Sequence, residues 1–143
     1  RSLPSSRENG SMRVGIIGSR EYENKRKIKE FIFKLKNNYS DLLIVSGGSK
    51  LGADKYAKKY ALELECNYLE FNPAHTPKNL YSGLQENYYN KPYNVKNFFS
   101  RNTMLAKYCD IVVAFIPDHD QANGTHHTIK EAQKFGKKVV IIS

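Results

Sequence analysis

The sequence predicts an α/β protein: a Rossmann-like open parallel sheet of about five strands with helices on both faces. Three observations carry that expectation. Short apolar runs rich in β-branched residues, such as Ile111-Val112-Val113-Ala114-Phe115-Ile116, are nearly continuous rather than alternating, as in strands covered on both sides. Between them lie apolar stripes at helical spacing. The runs break on Gly-rich or polar loops, and in open α/β sheets the loops after the strands converge on one edge, where ligands bind.

The first eleven residues, Arg1 to Ser11, show no apolar periodicity and read as a disordered expression scar ahead of a native start at Met12; residues 12–143 read as one domain. Val14-Gly15-Ile16-Ile17 is the first strand. Ile28, Phe31, Ile32 and Leu35 recur at i, i+3, i+4 and i+7, which places one stripe on a helix from about Asn24 to Asn37. Leu42-Leu43-Ile44-Val45 is the second strand, and Ala53, Tyr56, Ala57, Tyr60, Ala61 and Leu64 stripe the second helix. A third short strand falls near Tyr68 to Phe71. From Asn72 to Lys96 periodicity disappears while Pro73, Pro77, Gly83 and Pro92 interleave with tyrosines, the pattern of a lid or binding loop. Helical character returns from Val95 to Lys107. The clearest strand, Ile111 to Ile116, a helix from Thr125 to Phe135 and a last strand from Val139 to Ile142 complete the chain.

With 143 residues, 40% hydrophobic and 12% aromatic, the chain is long enough to bury one core. Its formal net charge is +9, of which Arg1, Arg7 and Glu8 contribute +1, leaving +8 for the remainder. That balance favours anionic partners. The lysines of the first two helices, Lys25, Lys27, Lys29, Lys34, Lys36, Lys55, Lys58 and Lys59, read as solvated helix surface more than as a nucleic-acid footprint. Cys66 and Cys109 are far apart, each beside an apolar run, and read as buried free thiols. No stretch reaches the roughly 18 apolar residues of a membrane span, so no membrane contact and a cytoplasmic, reducing environment are expected. The four histidines lie on loops or point apart, as His126 and His127 do, and no metal site or cofactor is expected.

Four loops, Gly18 to Glu23, Ser46 to Ala53, the long Asn72 to Lys96 loop and Pro117 to Thr125, are expected to meet in one cleft. Gly18, Ser19 and Arg20 follow the first strand, and Arg20 reads either as a bidentate phosphate partner or as solvent-exposed. Ser46, Gly47, Gly48, Gly52 and Asp54 follow the second; the glycines either cradle a phosphate or ribose or simply supply turn conformations. Asp54 also suits the electropositive first turn of its helix. Arg101 and Asn102 occupy a helix with little need of such a pair, and are read as ligand-facing. Gly124 and Thr125 precede a helix, where Thr125 serves as N-cap, phosphate ligand or both.

The stretches Met12 to Arg20, Val45 to Asp54, Arg101-Asn102-x-Met104, Asp110 to Phe115 and Gly124-Thr125 resemble the SLOG superfamily. The resemblance is greatest to its small YspA-like members of bacteria and phages, whose pattern is a GSR start, a GGxxGAD turn, an RN-x-M helix and a late GT. The wider superfamily holds LOG-type phosphoribohydrolases, DprA-like DNA-binding proteins and domains that bind nucleotide-derived signals. The resemblance implies phosphate and ribose contacts from Gly47, Gly48, Gly52, Gly124 and Thr125, and matches Arg101 to the Arg of the RK-x-x-M helix of LOG-type enzymes. Asn102 replaces the Lys of that pattern. It also implies a homodimer. LOG-type enzymes carry a catalytic Glu three residues beyond the late Thr, whereas this chain has Thr128 there; Glu131, one turn on, is the nearest acid, about 4.5 Å further along the helix.

The sequence favours a binding module that senses or sequesters a nucleotide or nucleotide-derived molecule, with loop tyrosines available for base stacking. A nucleoside-monophosphate N-glycosidic hydrolase is the alternative, with Arg101 and Glu131 as candidate catalytic residues and Asp54, Asp118 and Asp120 as further carboxylates. Direct DNA or RNA binding, resting on charge and the Tyr-rich loop, is the third reading.

Overall fold

In the computed structural model, residues 11–74, 79–85, 87, 95–118 and 123–143 are described. Among them, strands and helices alternate: β1 (Ser11–Gly18), α1 (Lys25–Asn38), β2 (Asp41–Ser46), α2 (Gly52–Glu63), β3 (Asn67–Glu70), α3 (Val95–Tyr108), β4 (Ile111–Phe115), α4 (Asn123–Lys134) and β5 (Lys138–Ile142). The sheet is five-stranded in the order β3-β2-β1-β4-β5, and every pairing is parallel. The expected Rossmann-like α/β architecture is therefore present. Strand β1 begins at Ser11, one residue before Met12, where it pairs with Asp41.

Each strand supplies side chains to two cores, which explains why the strand runs are continuous rather than alternating. Val14, Ile16, Ile44, Ile111, Val113 and Phe115 pack under α1 and α2. Ile17, Val45, Val112 and Ala114 pack under α3 and α4, against Leu105, Ala106, Ile129 and Ala132. The α1 stripe buries Ile28, Ile32 and Leu35, and the Asn24 side chain caps its start by accepting from Lys27 N at 3.2 Å.

Helix α2 begins without a side-chain cap; its start is tied to β1 instead, since Ala53 N donates to Ser19 O at 3.1 Å. Gly52 makes that approach possible. Its φ is +65°, and a Cβ there would fall on the carbonyl oxygen of Ser19 and the backbone of Arg20. Gly52→Ala combines a left-handed residue with a main-chain collision, and we expect it to lower stability by about 3 kcal/mol. The readout is a reduced urea midpoint at an unchanged slope.

The described part of the long loop departs from its sequence reading. Residues 79–84 run along the β3 edge: Glu70 N donates to Tyr81 O and Gly83 N to Glu70 O, both at 2.7 Å. Tyr81, expected to be available for stacking on a base, sits edge-on against Tyr68 at 5.5 Å instead. Tyr88, Tyr89 and Tyr93 lie outside the described residues. A fully buried Glu70 fastens this segment, accepting from Asn79 Nδ2 at 2.8 Å and Tyr68 OH at 3.1 Å and pairing with Lys58 Nζ at 3.3 Å. A carboxylate this deep requires such partners, so Lys58 is a half-buried counter-ion and not the solvated lysine expected from its helical position. Helix α4 starts at Asn123, which puts Gly124 and Thr125 inside its first turn and removes the N-cap role from Thr125.

Both cysteines are free; Cys109 is buried and Cys66 half-buried, and burial raises both thiol pKa values. Among the described residues, no helix is long and apolar enough to cross a membrane, and no group of three or more His, Cys, Asp or Glu side chains is placed to hold a metal ion. His75, His119 and Asp120 lie outside the described residues.

Candidate functional site

The chain runs outward from β1 through β2 to β3, then returns to lay β4 on the other side of β1. At this reversal, outside the carboxyl ends of β1 and β4, lies a cavity of about 630 Å³, within the range of small-molecule sites. It draws Gly18 to Glu21 from the β1 loop, Gly47 and Ser49 from the β2 loop, and Asp54 from α2. Phe98, Phe99, Arg101 and Asn102 come from α3, and Asn123, Gly124, Thr125 and Thr128 from α4. Three of the four loop regions thus meet as the alternation of elements predicts. Pro117 and Asp118 border a separate concavity beside Lys27 and β5.

The β1 loop is fixed by its own backbone. Ser19 is buried, its N–H bonds Phe115 O, its carbonyl accepts from Tyr22 N and Ala53 N, and its hydroxyl accepts from Glu21 N at 2.9 Å. Ser19 therefore shapes the loop, while the neighbouring Arg20 is exposed at the cavity with no ion pair to a described residue.

The β2 loop is held more tightly still. Ser46 Oγ meets Tyr68 OH at 2.6 Å and accepts from Gly48 N at 3.0 Å, while Gly48 O accepts from Asn72 Nδ2 at 2.6 Å. Ser46, Gly48 and Gly52 lie behind the cavity wall and set the path of the chain; Gly47 is the glycine of this loop that reaches the lining. A Cβ on Gly47 would come 2.5 Å from Arg101 Nη1 and 3.0 Å from Asp54 Oδ2, so its hydrogen is what lets these two groups flank the backbone.

Arg101 lines the cavity, but its guanidinium is largely committed to the protein. Nη1 donates to Gly47 O at 2.5 Å and to Phe71 O at 3.1 Å, and Nε donates to Asn102 Oδ1 at 2.8 Å. Burial lowers its pKa, opposed by the charge of Asp54. Asn102 is occupied as well: its Nδ2 donates to Gly124 O at 3.3 Å and lies 3.4 Å from His127 Nδ1. The Arg-Asn pair thus ties α3 to the β2 loop and to the first turn of α4.

Asp54 is the site's half-buried carboxyl. Oδ2 accepts from Ser49 N at 3.2 Å, whereas Oδ1 is inaccessible and has no hydrogen-bond partner. Burial pushes its pKa up to about 6, against the opposing pull of Arg101 and the Ser49 N–H. Glu131 lies off the cavity lining, where it accepts from Thr103 Oγ1 at 2.7 Å between α4 and α3. Thr128 does line the cavity, as a buried hydroxyl that donates to Gly124 O at 3.3 Å.

The first-turn N–H groups of α4 have no partner within the helix, and Asn123, Gly124 and Thr125 border the cavity. A Cβ on Gly124 would meet no atom within 4 Å. Together with exposed Arg20, this wall has the donors and the room to take an anion. Sequence reasoning put Glu21 and Asn123 in converging loops without singling them out, left Phe98 and Phe99 to a partner or a ligand alike, and gave Thr128 no ligand role. For the adjacent pair Phe98-Phe99 a signal was present: neighbouring residues on a helix point about 100° apart, so both cannot face one core.

No curated protein matches this sequence. Among solved structures, the molybdenum cofactor binding protein from the phototrophic bacterium Rippkaea orientalis superposes with a TM-score of 0.64 at 16% identity, over 98% of this chain and 77% of that one. The Moco carrier protein from Chlamydomonas reinhardtii gives 0.61 at 18% identity, over 92% and 76%. At these identities the likeness is one of fold. Residues 12–76, from β1 past the end of β3, match the family described as YspA, cpYpsA-related SLOG family, and this supports the SLOG resemblance over that stretch.

Proposed function

We propose that this protein binds a nucleotide or nucleotide-derived small molecule in the cavity at the β1/β4 reversal, and holds it intact. The observation that carries the reading is the α4 wall. First-turn N–H groups without a partner in the helix, an open space at Gly124 and the exposed Arg20 face one concave site of nucleotide-compatible volume. The fold relatives named for binding or carrying the molybdenum cofactor support a holding role rather than chemistry on the ligand.

The test is a thermal-shift screen of the full chain against AMP, GMP, ADP-ribose, NAD, cyclic nucleotides and molybdenum cofactor, followed by chromatography for released base. A ligand at a hundredfold its Kd adds about 2.7 kcal/mol, a rise of several degrees in melting temperature. The expected result is such a rise with the ligand recovered unchanged. Gly124→Val should leave the ligand-free melting temperature within about 2 °C, since Val is no worse than Gly in a helix, yet abolish the shift by filling the space an anion needs. No stabilisation by any member of the screen would overturn the proposal.

A second reading, hydrolysis of the N-glycosidic bond, is favoured by one observation: Asp54 is a carboxyl at the cavity whose pKa near 6 suits proton transfer near neutral pH. Against it, Thr128 stands where LOG-type enzymes carry their catalytic Glu. Released base that disappears in Asp54→Asn would establish hydrolysis.

A further inference from the structure

We infer that the α3 flank of this cavity is a stacking subsite for a planar aromatic heterocycle, with the Phe99 ring as its platform. The inference rests on the small-molecule reading above and specifies what the ligand carries besides its anionic end. Phe99 is 44% exposed, although it is a large apolar side chain, and it lines the concave wall together with Phe98. An apolar ring left open inside a cavity, and not on a convex surface, offers its area to a ligand of matching shape.

The platform is also backed and tethered. The Phe99 ring lies against His127 of α4 with centroids 4.4 Å apart and planes inclined by 32°. His127 Nδ1 is 3.4 Å from the Asn102 amide, the same amide that donates to Gly124 O. One side chain therefore fixes both the ring platform and the first turn of α4, so the stacking surface and the anion-binding turn keep a constant separation. On the neighbouring ring, the Arg101 guanidinium sits 5.4 Å from the Phe98 centroid, which holds a positive charge beside the aromatic wall. An apolar face, a fixed anion-binding turn and a short gap between them describe a phosphorylated compound with a flat ring, such as a purine nucleotide. They do not describe a bare sugar phosphate.

The experiment is calorimetric titration of wild type, Phe99→Leu and Phe99→Trp with AMP, GMP and ribose 5-phosphate. Wild type should bind at least one of the two nucleotides about tenfold or more tighter than ribose 5-phosphate, the span expected of one base stacked on an aromatic side chain. Phe99→Leu keeps an apolar group but no aromatic face; it should bring that ratio to within about twofold while leaving ribose 5-phosphate affinity unchanged. Phe99→Trp should retain or widen the preference. Its exposure makes Phe99 tolerant of exchange, and an unchanged melting temperature in both variants confirms an intact fold. A ratio that survives in Phe99→Leu, or wild type that binds all three equally, overturns the stacking subsite and leaves the proposed function standing. No binding of any of the three by wild type overturns this inference, while the nucleotide reading falls only if the wider thermal-shift screen also finds no ligand.

Discussion

Arg101→Met should cost about 3 kcal/mol of stability and abolish ligand binding. The side chain donates to Gly47 O, Phe71 O and Asn102 Oδ1, and so joins the β2 loop, the end of β3 and helix α3 in one place. Hydrogen bonds from a charged donor contribute about 1.5 to 3 kcal/mol each, and leaving buried acceptors unpaired adds their desolvation. Met restores part of the buried volume, which keeps the net loss near one such bond and its penalty. Arg101→Lys should rescue little, because a single ammonium on a flexible stem cannot reach the two carbonyls that Nη1 serves and the Asn102 Oδ1 that Nε serves at the same time. Urea midpoints of the three proteins measure the effect. A midpoint for Arg101→Met equal to that of wild type would show that the β2 loop holds its shape without the guanidinium.

Asp54→Asn should act in the opposite direction and depend on pH. The carboxyl titrates near 6 in the folded chain and near its ordinary 3.8 when unfolded. Between about pH 4 and 6 the folded protein therefore holds a proton that the unfolded chain has already released, and wild type loses stability as pH rises through that window. The gap between the two values, at roughly 1.4 kcal/mol per pH unit, puts the penalty at about 3 kcal/mol above pH 7. The amide, which cannot ionise, removes it. At pH 7.5 Asp54→Asn should be the more stable protein by about that amount, and near pH 4 the two should converge. Urea midpoints between pH 4 and 7.5 measure this, and parallel profiles would refute it. A carboxyl that weakens the fold at neutral pH is the kind of cost expected of a functional group.

Much of the fold was legible in the sequence because its signals are local and redundant. Ile111 to Ile116 reads as a two-sided buried strand, and Ile28, Ile32 and Leu35 sit under the sheet where their spacing places them. The meeting of the β1, β2 and α4 ends also followed from alternation alone, since right-handed crossovers put those loops on one edge. What escaped was the division of labour within the site. Gly48 and Gly52 hold turns behind the wall while Gly47 lines it, a distinction set by φ angles and contacts across the chain. Asn102 reads as a ligand-facing amide, yet it spends its hydrogen bonds on Arg101 and Gly124, partners fixed only after α3 and α4 have packed. Lys58 and Glu70 lie twelve residues apart, on a helix and an adjoining strand, and no helical periodicity links them. Tyr68 and Glu70 fall on the same face of β3, and that alternation was the one local hint that the acid is buried.

The pairing of β1 with β4 has a consequence for how the site comes into being. Ser11 to Glu70 builds β1, β2 and β3 from neighbours in sequence, and Val95 to Ile142 builds β4 and β5 likewise; among the strand pairings of the described residues, the β1–β4 register, Val14 to Ile111 onward, is the one that joins them across nearly a hundred residues. Such distant closure is the slow part of assembling a chain, because its loop entropy must be overcome before any contact repays it. The cavity draws its walls from both blocks, Gly18 and Gly47 from one and Arg101 and Gly124 from the other. Neither block carries the cavity by itself, so the concave wall that the proposed ligand needs arises only when the two blocks dock.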